Sequence, residues 1–352
     1  MKNPFRAFVN ASRRARKQQL SAALKLQRMV LSPGSKPKRP KPRAKSAAGR
    51  ISSKPSRRVS RPAPGTFVNG EFSSPHGKLT YKLYTPQGSS RRRLPLVVML
   101  HGCTQTAAGF ATGTGMNKLA DELGFLVLYP QQSAAANINR CWNWHSPADQ
   151  KRGIGEPAKI AALTRNVVTT CRGNSARVYI AGISAGGAAA AIIAAAYPEL
   201  YVAVGVHSGV AYGNIRTLRG ALSAMRNGAN LIAEAQTAQF LPTIVFHGDQ
   251  DRIVNPSNAG GFLANLLRSS PGSITGRTEN GRSKGGRDFT RTVYRHGKGR
   301  VLMEDWTVHG SGHAWSGGNA AGSLTDPAGP DASREMIRFF FACKRNADIS
   351  CI

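Results

Sequence analysis

Acidic residues are scarce in this chain. Only 17 Asp plus Glu stand against 49 Lys plus Arg in 352 residues, a formal net charge of +32. Cysteine is also sparse: five residues (Cys103, Cys141, Cys171, Cys343, Cys351) are too few for a disulfide scaffold, and none are spaced as CxxC metal ligands. No apolar run reaches the ~18 residues needed to span a membrane. The start, Met-Lys-Asn-Pro-Phe-Arg, is basic but is followed by no uninterrupted apolar segment, so no export signal is visible.

The missing acids are unevenly distributed. The first in the chain is Glu71, and residues 1–62 carry 19 basic side chains, whereas the remainder holds 30 basic and 17 acidic residues. Residues 1–65 therefore read as a basic, largely disordered arm. Leu20, Leu24 and Leu31 fall near one face of an expected amphipathic helix over 7–31, and a Pro-, Ser-, Lys- and Arg-rich linker follows. Such an arm suits electrostatic capture of a polyanion or an anionic surface. It lacks aromatic interleaving and any nucleic-acid-binding fold, so specific nucleic-acid recognition is not expected.

The most informative stretch surrounds Ser184. An apolar run, Val178 to Ala181, breaks into Gly182-Ile-Ser184-Ala-Gly186 and continues as an alanine-rich segment to Tyr197. Strand, sharp turn and helix in that order are what a nucleophile elbow requires, because the turn must lift the serine hydroxyl above the sheet edge. The pentapeptide alone is weak: with 38 Gly in 352 residues, chance supplies about 0.3 such matches. A second match, Gly281-Arg-Ser283-Lys-Gly285, lies among polar residues with no strand expected before it and reads as a loop.

From residue 66 to 352 the pattern is that of one large domain. A hairpin is expected from Glu71–Ser74 and Lys78–Thr85. Apolar strands follow at 94–100, 125–129, 178–181, 202–206, 243–246 and 301–308. Helical segments lie between them, at 116–123, 157–171, 187–197 and 259–267, with a last one at 332–341. Strands apolar on both faces that alternate with helices imply a mostly parallel sheet with helices on both faces. With Ser184 at the end of a central strand, the layout is that of an α/β-hydrolase fold.

A serine hydroxyl needs a base, usually a histidine oriented by a carboxylate, and this fold supplies them in the order Ser, Asp or Glu, His. Asp249 and Asp251 directly follow the strand 243–246; Asp251, farther out on the loop, is favoured and Asp249 held in reserve. Three histidines come later. His296 precedes the last strand at the wrong end of the sheet, and His309 ends that strand. His313 lies beyond Gly310-Ser-Gly312, which lets the loop fold back, and is preferred. The oxyanion donors are expected to be the backbone N–H groups of Ala185, after the nucleophile, and Cys103, in the loop after strand 94–100. Neither metal nor organic cofactor is implied.

Six segments in this order resemble the PHB depolymerase (poly(3-hydroxybutyrate) depolymerase) esterases, a family overlapping feruloyl and acetylxylan esterases. They are Leu100-His-Gly-Cys-Thr-Gln105, Cys141-Trp-Asn-Trp144, Arg152-Gly-Ile-Gly-Glu156, Gly182-Ile-Ser-Ala-Gly-Gly187, His247-Gly-Asp-Gln-Asp251 and Gly312-His-Ala-Trp-Ser-Gly317. The resemblance runs from about residue 75 to residue 340. It implies a carboxylic ester as substrate, Ser184, Asp251 and His313 as the triad, and a Cys103–Cys141 disulfide beside the site. Trp142 and Trp144 are then expected near the acyl pocket, with core packing as the alternative. An extracellular location is usual in the family, but the missing export signal leaves a cytoplasmic one open. No separate polymer-binding module is visible, so soluble esters or oligomers are expected ahead of solid polymer. The rival from another class is a granule- or polyanion-binding protein with a vestigial hydrolase domain, which an intact triad would oppose.

Overall fold

The structure, a computed structural model, describes residues 65–88, 92–213, 215–228, 240–270, 272–297 and 299–344. The basic arm, with the helix expected over 7–31, and Cys351 therefore lie outside the described residues, Gly65 excepted.

Ten strands form one sheet in the order β1-β2-β4-β3-β5-β6-β7-β10-β9-β8. The antiparallel hairpin β1 (Thr66–Ser74) and β2 (Gly77–Thr85) forms one edge. The middle is parallel: β4 (Leu126–Gln131), β3 (Leu94–Leu100), β5 (Gly173–Ile183), β6 (Ala203–His207), β7 (Thr243–Gly248) and β10 (Val301–Val308). All seven residues of β3 are buried, as a central strand covered on both faces must be. Its side chains divide between two cores. Leu96, Val98 and Leu100 pack under α3 (Gly155–Thr170), α4 (Ala185–Ala196) and α6 (Ala259–Ser269). Val97 and Met99 pack under α1 (Ala107–Thr114), α2 (Met116–Leu123) and α7 (Ala332–Ala342). A further helix, α5 (Leu218–Asn227), precedes β7. Among the described residues no helix is long and apolar enough to cross a membrane.

The far edge departs from the sequence expectation. β8 (Ile274–Arg282) and β9 (Asp288–His296) form an antiparallel ribbon on β10, in a stretch that the apolar pattern does not mark as strand. Most of β8 is exposed, so it carries no apolar alternation to be read. Its ladder is reinforced instead by polar cross-strand contacts, among them Arg291 Nη1 to Glu279 Oε1 at 2.7 Å and Thr278 Oγ1 to Thr292 Oγ1 at 3.0 Å. Ser283 therefore does come directly after a strand. It leads, however, into a turn and a second strand rather than a helix. Its hydroxyl donates to the Ala328 carbonyl at 2.5 Å while accepting from Arg287 N at 2.9 Å. It is a turn residue.

Candidate active site

The parallel strands β3, β5, β6 and β7 end at a common edge, and the loops that leave them build the site. Ser184 separates β5 from α4 with φ 58° and ψ −124°, a conformation that costs a non-glycine residue on the order of 1–3 kcal/mol. The surroundings hold it there. Its N–H donates to the His207 carbonyl at 2.9 Å, and its own carbonyl accepts from Ala188 N at 3.0 Å. A Cβ on Gly186 would run into the backbone carbonyls of Leu100 and His101, and one on Gly182 into the Gly186 backbone. The two glycines of the pentapeptide are thus demanded by the close approach of β3, β5 and α4.

The turn after β3 is fixed by side chains. Gly102 N donates to Gln105 Oε1 at 2.9 Å, and Gln105 Nε2 donates onward to the Ser323 carbonyl at 2.9 Å. His101 accepts from Gln132 N at its Nε2 (3.1 Å), so its proton sits on Nδ1, which reaches the Gly102 carbonyl at 2.9 Å. Burial pushes this imidazole down to about 4, so it is a neutral structural bridge at ordinary pH. The turn leaves two amides unused: among the described residues the N–H groups of Cys103 and of Ala185, the first residue of α4, donate to no protein acceptor.

Cys103 and Cys141 are joined by a disulfide, their Cα atoms 4.2 Å apart. Trp142 is only 1% exposed, and its indole N–H donates to the His101 carbonyl at 3.1 Å. It braces the turn from within the core, the packing role that the sequence leaves beside the acyl-pocket one. Trp144 is likewise buried in that core, 7% exposed, and its carbonyl accepts from Gln150 Nε2 at 2.9 Å. Beneath them Glu156 is buried. It accepts from Asn143 N (2.8 Å), Asn143 Nδ2 (2.9 Å) and Gln132 Nε2 (2.5 Å). Burial and nearby Asp149 outweigh these donors and raise its carboxyl to about 7.

The two acids and two histidines left open by the sequence form two separate pairs. Asp251 Oδ2 lies 2.7 Å from His313 Nδ1, with side chains 0% and 8% exposed. The other Asp251 oxygen accepts from Ile253 N and Val254 N, both at 2.9 Å. Burial alone would raise this carboxyl, but donors from His247, His313 and Val254 hold it well below the usual carboxylate range. Asp249 pairs with His309 instead, Oδ2 to Nδ1 at 3.0 Å, on the exposed side of the loop. His309 has no free ring nitrogen, because its Nε2 meets Thr290 Oγ1 at 2.9 Å. His313 Nε2 has no hydrogen-bond partner among the described residues and is open to act on a proton. His296 ends β9, next to the turn into β10.

The structure does not join Ser184 to His313 by a direct hydrogen bond. It ties both to His207, a residue that sequence reasoning passed over. The His207 backbone carbonyl holds Ser184 N, and its Nε2 accepts from Ser316 N, three residues beyond His313, at 2.9 Å. Stacked between Phe246 and Trp315 and pushed down to about 3 by burial, it stays neutral and fastens the Ser184 turn to the loop that carries His313. His247, also passed over, lies 3.4 Å from Asp251 Oδ2. The available signal was a polar ring ending each of two apolar strands. No cluster of three or more metal-ligating side chains occurs among the described residues.

A serine on a strained strand-to-helix turn over a mostly parallel sheet, with a buried Asp–His pair on later loops, defines an α/β-hydrolase. Residues 79–287 match the family described as esterase PHB depolymerase, and the chain belongs to that family. Ser184 and Asp251 fall within the matched span and His313 beyond it. The chain is 30% identical over 253 residues to poly(3-hydroxyalkanoate) depolymerase C of Paucimonas lemoignei, covering 69% of this chain and 60% of that protein. It is 34% identical over 147 residues to acetylxylan esterase A of Talaromyces purpureogenus, covering 42% of this chain and 37% of that protein. The aligned portions thus span about two fifths to three fifths of these relatives' lengths. Among solved structures, the acetyl xylan esterase of Aspergillus awamori shares the fold. Its TM-score is 0.56 at 19% identity, covering 80% of this chain and all of that one.

Proposed function

We propose that this protein is a serine esterase that hydrolyses carboxylic esters through an acyl-enzyme, with Ser184 as nucleophile, His313 as general base and Asp251 as its orienting carboxylate. The observation that carries the reading is the contrast between the two Asp–His pairs: His313 keeps Nε2 open and is held by a buried, ionised Asp251, whereas both His309 nitrogens are occupied. Ser184 Oγ attacks the ester carbonyl as its proton passes to His313 Nε2, and Asp251 stabilises the resulting imidazolium. The Ala185 and Cys103 amides receive the oxyanion. His313 then protonates the departing alcohol, and water hydrolyses the acyl-enzyme by the same two steps.

The substrates proposed are short-chain or hydroxyalkanoate esters and oligomers. Feruloyl and acetylxylan esters are the alternative, favoured by the relatives that carry those names, which include feruloyl esterase B of Neurospora crassa, 35% identical over 118 residues. The domain proposed to do this is 66–352, with 1–65 as an arm for anionic surfaces or polyanions. The test is a panel of nitrophenyl acetate and butyrate, methyl ferulate, acetylated xylan and hydroxybutyrate oligomers, with Ser184→Ala as blank. Turnover of at least one ester that vanishes in the blank is expected. No turnover of any, with tight retention on polymer granules, would favour a vestigial domain that only binds.

A further inference from the structure

We propose that His247 is a positioning residue for Asp251: its Nε2–H, shared between the Val254 carbonyl and Asp251 Oδ2, fixes the carboxylate edge that faces His313. The proposal deepens the esterase reading and rests on it. His247 is the fifth residue of the six-residue strand β7, only 2% exposed, and its Nε2 sits 2.9 Å from the Val254 carbonyl and 3.4 Å from Asp251 Oδ2. A carbonyl only accepts, so Nε2 carries a proton, and that proton lies between two acceptors. Oδ1 of Asp251 is already pinned by the Ile253 and Val254 amides. Oδ2 would otherwise be held by His313 alone, the group whose orientation it must determine. A second donor on Oδ2 resolves that circularity.

The rest of the ring fits the assignment. The ring's other nitrogen, Nδ1, is buried and has no hydrogen-bond partner. Asp305 Oδ1 is buried and unpartnered as well. β10 pairs with β7 so that Asp305 stands beside Val245 and Thr307 beside His247; Asp305 and His247 therefore share one sheet face. Burial raises the Asp305 carboxyl to about 6 and His247 pulls it back, so the two groups sense each other along that face with no hydrogen bond between them. The other titratable groups sensing this cluster are His207 and His313, near Asp251, and Tyr294 on β9, which senses Asp305.

The test compares two polar replacements of similar bulk. In His247→Gln the terminal amide nitrogen can occupy the Nε2 position, whereas in His247→Asn it reaches only as far as Nδ1. Ester hydrolysis is measured per active site, titrated with a fluorophosphonate, so that unfolded protein does not enter the rates. His247→Gln should stay within about threefold of wild type in kcat. His247→Asn should lose about tenfold in kcat, the loss expected for one charge-assisted hydrogen bond, with KM changed less than twofold. Its acidic limb should move to higher pH, because Asp251 keeps more charge for the His313 imidazolium. Equal loss in both variants, or wild-type kcat and limb in His247→Asn, would overturn the positioning role. The esterase reading would survive either result provided Ser184→Ala is inert in the same assay. Turnover by Ser184→Ala would overturn both.

Discussion

Replacing Glu156 by Gln should change how stability depends on pH, and by an amount the structure sets. This carboxyl is 5% exposed and is raised from an ordinary 4.5 to about 7 by burial and by Asp149. The folded protein therefore holds its proton to higher pH than the unfolded chain does. The contribution of Glu156 to stability is full below pH 4.5 and is lost as pH rises through about 7. A shift of about 2.5 units corresponds to about 3 kcal/mol at 1.36 kcal/mol per unit. His101 and His207, lowered to about 4 and about 3, act in the opposite sense: their contribution is present above about 6.5 and is lost as pH falls through those values. Both histidines are present in the wild type and the variant and cancel in the difference. The assay is denaturant unfolding of each protein at several pH values from 4.5 to 8.5. The wild-type stability minus that of Glu156→Gln should fall by about 3 kcal/mol across that range. A difference that is flat within about 0.5 kcal/mol, or that rises with pH, would refute the reasoning.

Other consequences can be checked separately. His313→Ala and Asp251→Asn should each lower kcat by about 10⁴-fold, while His309→Ala and Asp249→Asn remain within about tenfold, since their exposed pair only clamps the loop through Gly310 N; a deeper lesion at His309 would reverse the choice of base. Gly186→Ala should abolish the elbow, because its Cβ meets the backbone carbonyls of Leu100 and His101, whereas Gly260→Ala, with nothing within 4 Å in α6, should raise stability by about 0.5–1 kcal/mol; thermal melts and ester assays report both. Removing the Cys103–Cys141 bridge as a double serine variant should cost about 4 kcal/mol of stability on the chain-entropy model for a separation of 38 residues, read by denaturant unfolding.

The central sheet was readable because its strands are buried on both faces. Leu94–Leu100 stands out as an apolar run and is the observed β3, every residue of it buried. β8 and β9 left no such trace: an edge ribbon facing water needs no alternation, and Arg–Glu and Thr–Thr contacts replace apolar packing. The short α1, Ala107–Thr114, was also missed, being rich in Ala, Gly and Thr with no polar face to mark a period. In the site, Ser184 was legible because its setting is local. Asp251 and His313 were favoured from their loop positions and are the pair observed, but that Asp249 meets His309 was not legible, since carboxylates two residues apart are separated only by where each loop turns. The same limit hid His207 and His247, whose partners lie on other strands and loops.

The claim that Ser184 is the nucleophile of an ester hydrolase is tested most directly by labelling with an organophosphate, followed by peptide mass mapping and a parallel activity assay. One adduct per chain on the peptide containing Ser184, formed at the rate at which ester hydrolysis disappears, is the predicted result. Full activity after complete labelling of Ser184, or loss of activity that tracks an adduct elsewhere such as Ser283, would contradict it.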